Sequence, residues 1–217
     1  MIYNILSDGM PESITVNGVP FALKTDYRLW LKAGTLFDKL NGTSDGYPIL
    51  QELCELVVDK YPEEGFVDGE DLILGLVEFY KGFPKAENDY SEIEKKKAQD
   101  KKKPPSFNFF YDAQYIYCSF VSFYGIRLQT VEHMHWWEFL ALFEGLMMSD
   151  QTSMNFVVGA RQNKIKSKMS KEEKARIVKL QKQFALPDDE DTREAKSKLN
   201  DILGRKKPMM PKLEETP

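Results

Sequence analysis

Cysteine and histidine are scarce in this chain, with two of each among 217 residues. Cys54 and Cys118 have no zinc-type spacing to a second thiol, and both fall in apolar helical patterns. They read as two free, buried thiols and not as a disulfide or a metal site. His133 and His135 lie two residues apart, a spacing that on a helix points them roughly opposite ways, so they cannot share one ion. The helical zinc-peptidase pattern needs histidines at i and i+4 with a glutamate between them, and it is absent. A structural role is therefore expected, with His135 bonding a backbone carbonyl inside the core. There is no Gly-x-Ser-x-Gly, neither cysteine has a basic neighbourhood, and no Walker or Rossmann glycine pattern exists. Carboxylates are plentiful, but nothing singles out a pair. Asp188 to Asp191 lacks the ligand and glycine spacing of a calcium loop and reads as a solvated helix start. No apolar run approaches the ~20 residues of a membrane span, and Met1-Ile2-Tyr3-Asn4-Ile5-Leu6 runs into Ser7-Asp8-Gly9, unlike a secretory signal. These absences predict a non-enzymatic protein without metal, cofactor or membrane, residing in the cytosol.

What is present is a core and a divided charge. Hydrophobic residues make up 42% and aromatics 12%, and the net charge is only −4. Residues 1–94 nevertheless hold 7 Lys+Arg against 18 Asp+Glu, a net of −11. Lys95-Lys96-Lys97, Lys101-Lys102-Lys103, Arg127 and a dense run from Arg161 to Lys182 reverse the sign. Such asymmetry fits head-to-tail or partner electrostatics, or simply two solvated surfaces.

The periodicity predicts a mainly α protein: a compact helical bundle with a small N-terminal hairpin and charged C-terminal helices. Asn17-Gly18 between apolar strands is a strong two-residue hairpin signal, and Pro20 suggests an edge or short second strand. Within 1–84, three helices follow. The first is capped by Thr25 and carries Tyr27, Trp30, Leu31 and Phe37. The second has Pro48 in its first turn, Leu50, Leu53, Cys54 and Val57 on one face, and ends at Pro62. The third is capped by Asp68, has Ile73, Leu76, Val77 and Tyr80 as its stripe, and stops at Gly82 and Pro84. Residues 85–106 read as a charged linker. Residues 107–150 hold two aromatic helices expected to pack with 1–84. One, from Asp112, carries Ala113, Ile116, Tyr117, Phe120 and Tyr124 and is apolar on nearly all sides, hence buried on nearly all sides. The other, capped by Thr130, carries Trp136, Phe139, Leu140, Phe143 and Met147. Residues 151–207 read as a helical appendage, basic first, with a capping box at Ser170-Lys171-Glu172-Glu173 and a last helix after Asp188 to Asp191. Residues 208–217 read as a disordered tail.

Two features invite partners. Trp136 and Trp137 face directions about 100° apart on a helix, so one fits the core stripe and the other meets a second helix or a partner. The basic run could meet nucleic acid electrostatically, but its only nearby aromatics are Phe156 before it and Phe184 just beyond its end, so it offers no stacking platform, and an acidic protein surface suits it better. A neighbouring copy is one such surface. The expected interface residues are Lys171, Lys174, Lys179 and Lys182, with exposed parts of Trp30 and Trp137.

Three ordered segments carry a resemblance: Thr25-Asp26-Tyr27-Arg28-Leu29-Trp30-Leu31; Asp112-Ala113 with Ile116-Tyr117, Phe120 and Tyr124-Gly125-Ile126-Arg127-Leu128; and His135-Trp136-Trp137-Glu138-Phe139-Leu140-Ala141-Leu142-Phe143. Together, over about residues 13–165, they resemble a family of small proteins of tailed bacteriophages and prophages of Gram-positive bacteria, encoded between the major tail protein and the tape-measure protein. The resemblance implies a tail assembly chaperone of long non-contractile tails. Such a protein binds the tape-measure protein, helps recruit tail-tube subunits, acts in several copies in the host cytoplasm and is absent from the finished virion. A minor tail component retained in the virion and a nucleic-acid-binding accessory protein using residues 161–182 are the alternatives.

Overall fold

A computed structural model describes residues 4–40, 46–62, 65, 67–83 and 106–187. The expectations for residues 85–105, for the helix after Asp188 and for the tail lie outside these. The protein is mainly α, with one small antiparallel sheet.

The hairpin forms where Asn17-Gly18 places it. β1 (Ser13–Val16) and β2 (Val19–Leu23) pair antiparallel with Val16 opposite Val19. Asn17 and Gly18 take φ of 50° and 82°, the two positive values a type I′ turn requires. A third strand, β3 (Val58–Lys60), adds to β2, so β2 is central and not an edge strand. Pro20 is tolerated because the β3 ladder involves only Ala22 and Leu23, so the N–H that proline lacks is not needed there.

α1 (Tyr27–Leu40) buries Tyr27, Trp30, Ala33, Leu36 and Phe37. Its cap is Asp26 and not Thr25: the Asp26 carboxylate accepts the Arg28 N–H at 2.9 Å. α2 (Tyr47–Val57) buries Leu53, Cys54 and Val57. It passes directly into β3 and so ends before Pro62. α3 (Gly69–Lys81) is capped by Asp68, as expected, but centres its buried face on Leu72, Leu76 and Phe79. Ile73, Val77 and Tyr80 flank that face half-buried, because α3 packs at once on β1, α1 and α2. Gly82 ends the helix at φ 79°, and a Cβ there would sit 2.7 Å from Leu140 Cδ1. Gly82→Ala should therefore destabilise by more than about 1 kcal/mol, through both the positive φ and the contact. A thermal melt unchanged from wild type would refute this.

α4 (Ala113–Ser119) continues as a π-helical turn (Phe120–Tyr124) and stops at Gly125, φ 71°. It is not buried all round. Ile116, Ser119 and Phe120 face inward, while Ala113, Gln114, Cys118 and Phe123 are exposed. In the wider turn Tyr124 returns to the Phe120 face, 5.9 Å away ring to ring, and Phe123 falls outside it. Cys118 is thus an exposed thiol, and only Cys54 is buried.

α5 (Trp136–Met148) begins six residues after Thr130, whose hydroxyl instead donates to the Arg127 carbonyl at 3.1 Å. α6 (Ser153–Gln162) is the first helix of the stretch read as a helical appendage. Thr152 caps it by accepting the Asn155 N–H at 3.1 Å, and Met154, Val157, Val158 and Ala160 are buried. α7 (Lys171–Gln183) starts at the expected capping box: Ser170 Oγ accepts from Glu173 N at 3.1 Å, and Glu173 accepts from Ser170 N at 2.8 Å. α1, α3, α4 and α5 converge on the most buried large side chains, Trp30, Trp136, Phe120 and Phe139. α6 packs on α4 and α5, and α7 packs on α6.

Candidate functional site

The three segments that carry the resemblance meet in one place. The residues entering α1 and α5 run antiparallel for one bridge, Asp26 opposite His135. Tyr27 N–H donates to the Met134 carbonyl at 2.9 Å, and Trp136 N–H donates to the Thr25 carbonyl at 2.7 Å. Both are first-turn N–H groups that a helix cannot satisfy internally, so each helix start satisfies the other. Tyr27 reaches the segment after α4, its hydroxyl donating to the Leu128 carbonyl at 2.9 Å. Arg28 spans Asp26, at 2.6 Å, and the Glu132 carbonyl, at 2.8 Å. That guanidinium and its backbone N–H hold the Asp26 carboxyl below its usual range, against the opposing effect of burial.

His135 fixes the start of α5, although it is not on a helix with His133 as its spacing suggested. Its Nδ1 accepts the Trp137 N–H at 3.0 Å, and its Nε2 lies 3.0 Å from the Pro11 carbonyl. These partners define the neutral tautomer with the proton on Nε2, and the expected backbone-carbonyl bond is present. His133 is exposed, with Nε2 3.5 Å from the Thr25 hydroxyl. Burial pushes the His135 pKa down, outweighing the bond to Pro11 and the nearby Glu138 and Glu12 carboxylates, while His133 pushes the same way as burial. The folded state thus resists a proton that the unfolded chain accepts. This contribution to stability is complete above the ordinary histidine value of 6.5 and is lost as pH falls through the lower folded value. Between pH 7 and 5.5 the urea midpoint of wild type should fall more than that of His135→Asn, which keeps a capping acceptor without a titratable ring. Parallel pH profiles would count against the assignment.

Both tryptophans of the α5 start are buried, as is Trp30, at 0%, 7% and 0% exposure for Trp136, Trp137 and Trp30. The partner surface expected on Trp30 and Trp137 is therefore not there. The reason is hydrogen bonding: Trp30 Nε1 donates to the Lys24 carbonyl at 2.8 Å. Trp136 and Trp137 donate to the Tyr80 and Phe79 carbonyls, at 2.9 and 3.0 Å, at the end of α3. The two neighbours thus both meet a second helix, whose last carbonyls need donors. Phe139 stacks on Tyr27 at 4.9 Å and on Phe120 at 5.3 Å, joining α1, α4 and α5. Ile116 and Phe143 are buried beside them, and Tyr117 and Tyr124 are half-buried, Tyr124 donating to the Leu142 carbonyl at 3.0 Å.

A cleft of about 520 Å³ opens at this junction. Tyr27, Leu31, Phe109, Ile116, Tyr117, Leu128 and Phe139 form its apolar walls, with Arg28, Gln114, Gln129 and exposed Ala113 at the rim. Its lining contains no carboxylate, thiol or imidazole, and Arg28 is already engaged. The polar groups that line it are the Tyr27 and Tyr117 hydroxyls, the two glutamine amides and the Arg28 guanidinium. Among the described residues no group of three or more His, Cys, Asp or Glu could hold a metal, and no helix is long and apolar enough to cross a membrane.

The basic run separates into two kinds of residue. Lys171, Lys179 and Lys182 are exposed as expected, and Lys174 is half-buried with Nζ 3.2 Å from the Ser167 carbonyl. Arg161 instead turns inward. It forms a two-pronged ion pair with the buried Asp112, at 2.6 and 2.7 Å, and donates to the carbonyls of Ser106 and Phe184. Sequence reading misses this because Arg161 resembles its solvated neighbours. The available signal was Met154, Val157, Val158 and Arg161 at i, i+3, i+4 and i+7, which places the arginine on the buried face.

Compared with known proteins, the chain matches the family model described as Bacteriophage Gp15 protein over residues 6–186. No curated protein and no solved structure matches it. The match takes in all three segments that meet at the junction and the whole described fold from β1 through α7. This chain belongs to the bacteriophage Gp15 protein family.

Proposed function

We propose that this protein is a tail assembly chaperone that works without catalysis and without a cofactor. It binds apolar segments of the tape-measure protein in the host cytoplasm, keeps that long client soluble, helps recruit tail-tube subunits around it and leaves before the virion is complete. The observation that carries the reading is the apolar cleft built where the three segments converge, with walls from α1, α4 and α5. A cleft of aromatic and aliphatic walls rewards burial of client side chains. Membership in a bacteriophage family supports the setting.

The test is co-expression with the tape-measure protein. The client should be soluble only when this chain is present. Ala113→Glu, at an exposed first-turn position on the rim, should abolish that effect while leaving the circular dichroism spectrum and melting temperature unchanged. A soluble client without the chain, or full activity of Ala113→Glu, would refute the reading. Purified virions should lack the chain, and its abundant retention there would favour a structural tail component.

A further inference from the structure

Two exposed helix stripes mirror one another. On α3, Glu70, Leu74 and Glu78 recur at i, i+4 and i+8, all exposed, with Leu74 at 61%. Asp68 and Asp71 flank the acidic end, and Lys81 closes the other. On α7, Lys171, Ala175 and Lys179 recur at the same spacing, all exposed, with exposed Lys182 one turn further. One stripe is acid, large apolar, acid; the other is base, small, base. Four residues rise about 6 Å on any α-helix, so the two rows match in register.

We propose that copies of this chain associate head to tail, α3 of one copy lying antiparallel on α7 of the next. Glu70 then meets Lys179 and Lys182, Leu74 seats on Ala175 between the lysine stems, and Glu78 meets Lys171. The antiparallel sense fits both the end charges and the helix dipoles. α3 packs on β1, α1 and α2, whereas α7 packs on α6, so each copy carries both halves of the contact on different elements. A contact between unlike surfaces leaves one of each free and propagates into a ring or an open array. One helix pair buries less than a standard interface, so the association is weak and salt-dependent.

Sedimentation velocity on the full chain tests this. In about 50 mM salt the average mass should rise steadily with concentration beyond dimer, and it should return to monomer near 500 mM salt. Two charge-reversed variants, Lys171→Glu with Lys179→Glu and Glu70→Lys with Glu78→Lys, should each stay monomeric with unchanged circular dichroism. Mixed in equal amounts, they should assemble again, because each then supplies the surface the other lacks. A wild type that is monomeric at low salt, a closed dimer, charge-reversed variants that still associate alone, or a mixture that stays monomeric would each overturn the proposal. So would lysine-dependent DNA retention by a chain that does not self-associate.

Discussion

Arg161→Ala should cost about 3–5 kcal/mol of unfolding free energy, the loss expected when one partner of a buried ion pair is removed. Asp112 is 1% exposed at its side chain and Arg161 11%, so the remaining carboxylate would stay buried without its counter-charge. The guanidinium also donates to the Ser106 and Phe184 carbonyls, which lie at the chain's return after the charged segment and at the end of α7. Four acceptor contacts in a fixed fork are beyond a single ammonium, so Arg161→Lys should recover little. An apolar replacement of both partners should also fail to rescue, since Asp112 accepts the Asn108 N–H at 2.9 Å and all these backbone groups would lose their partners. A domain holds only about 5–15 kcal/mol in total, so the urea midpoint should drop far more than for an exposed neighbour such as Lys164→Ala. Equal midpoints for the two variants would remove Arg161 from the core.

Arg161 shows where sequence reading ends. Hairpin, capping box and helix stripes are written within a few residues of one another, so Asn17-Gly18, Ser170-Glu173 and the α1 stripe could be read directly. The spacing from Met154 sets Arg161 on a buried face, but its partner stands 49 positions away and nothing local names it. The same holds for His135. Serine, threonine and aspartate are the ordinary caps, so Thr130 drew the helix start, while the imidazole that performs the role needs Pro11, 124 positions distant, to fix its tautomer. Strand β3 was missed because three residues following a helix without a turn signal carry no period. The cleft was half legible: its three segments stood out by sequence, but only their convergence shows that the walls belong to one opening. The tryptophans were legible as a pair facing different ways, and their shared second partner, the end of α3, was not.

Trp136→Ala should be the other severe variant, at about 3–5 kcal/mol for the emptied volume alone. The side chain has no exposed surface and stacks between Tyr80, at 5.2 Å, and Phe139, at 5.6 Å. Trp136→Phe separates the volume from the hydrogen bond. It keeps much of the stack but removes the indole N–H from the Tyr80 carbonyl, a loss of about 1–3 kcal/mol for a buried acceptor. The residue four positions beyond Tyr80 is Pro84, which has no N–H to offer in its place. Phe79 is better served, since its carbonyl accepts from Gly82 N at 3.1 Å as well as from Trp137 Nε1. Trp137→Phe should therefore cost less than Trp136→Phe, although the two residues are neighbours and their bonds are nearly equal in length. Urea midpoints of the three variants give the order directly: Trp136→Ala lowest, then Trp136→Phe, then Trp137→Phe. A reversal of the last two would mean that ring packing, and not the carbonyls at the end of α3, sets the energetics of this joint.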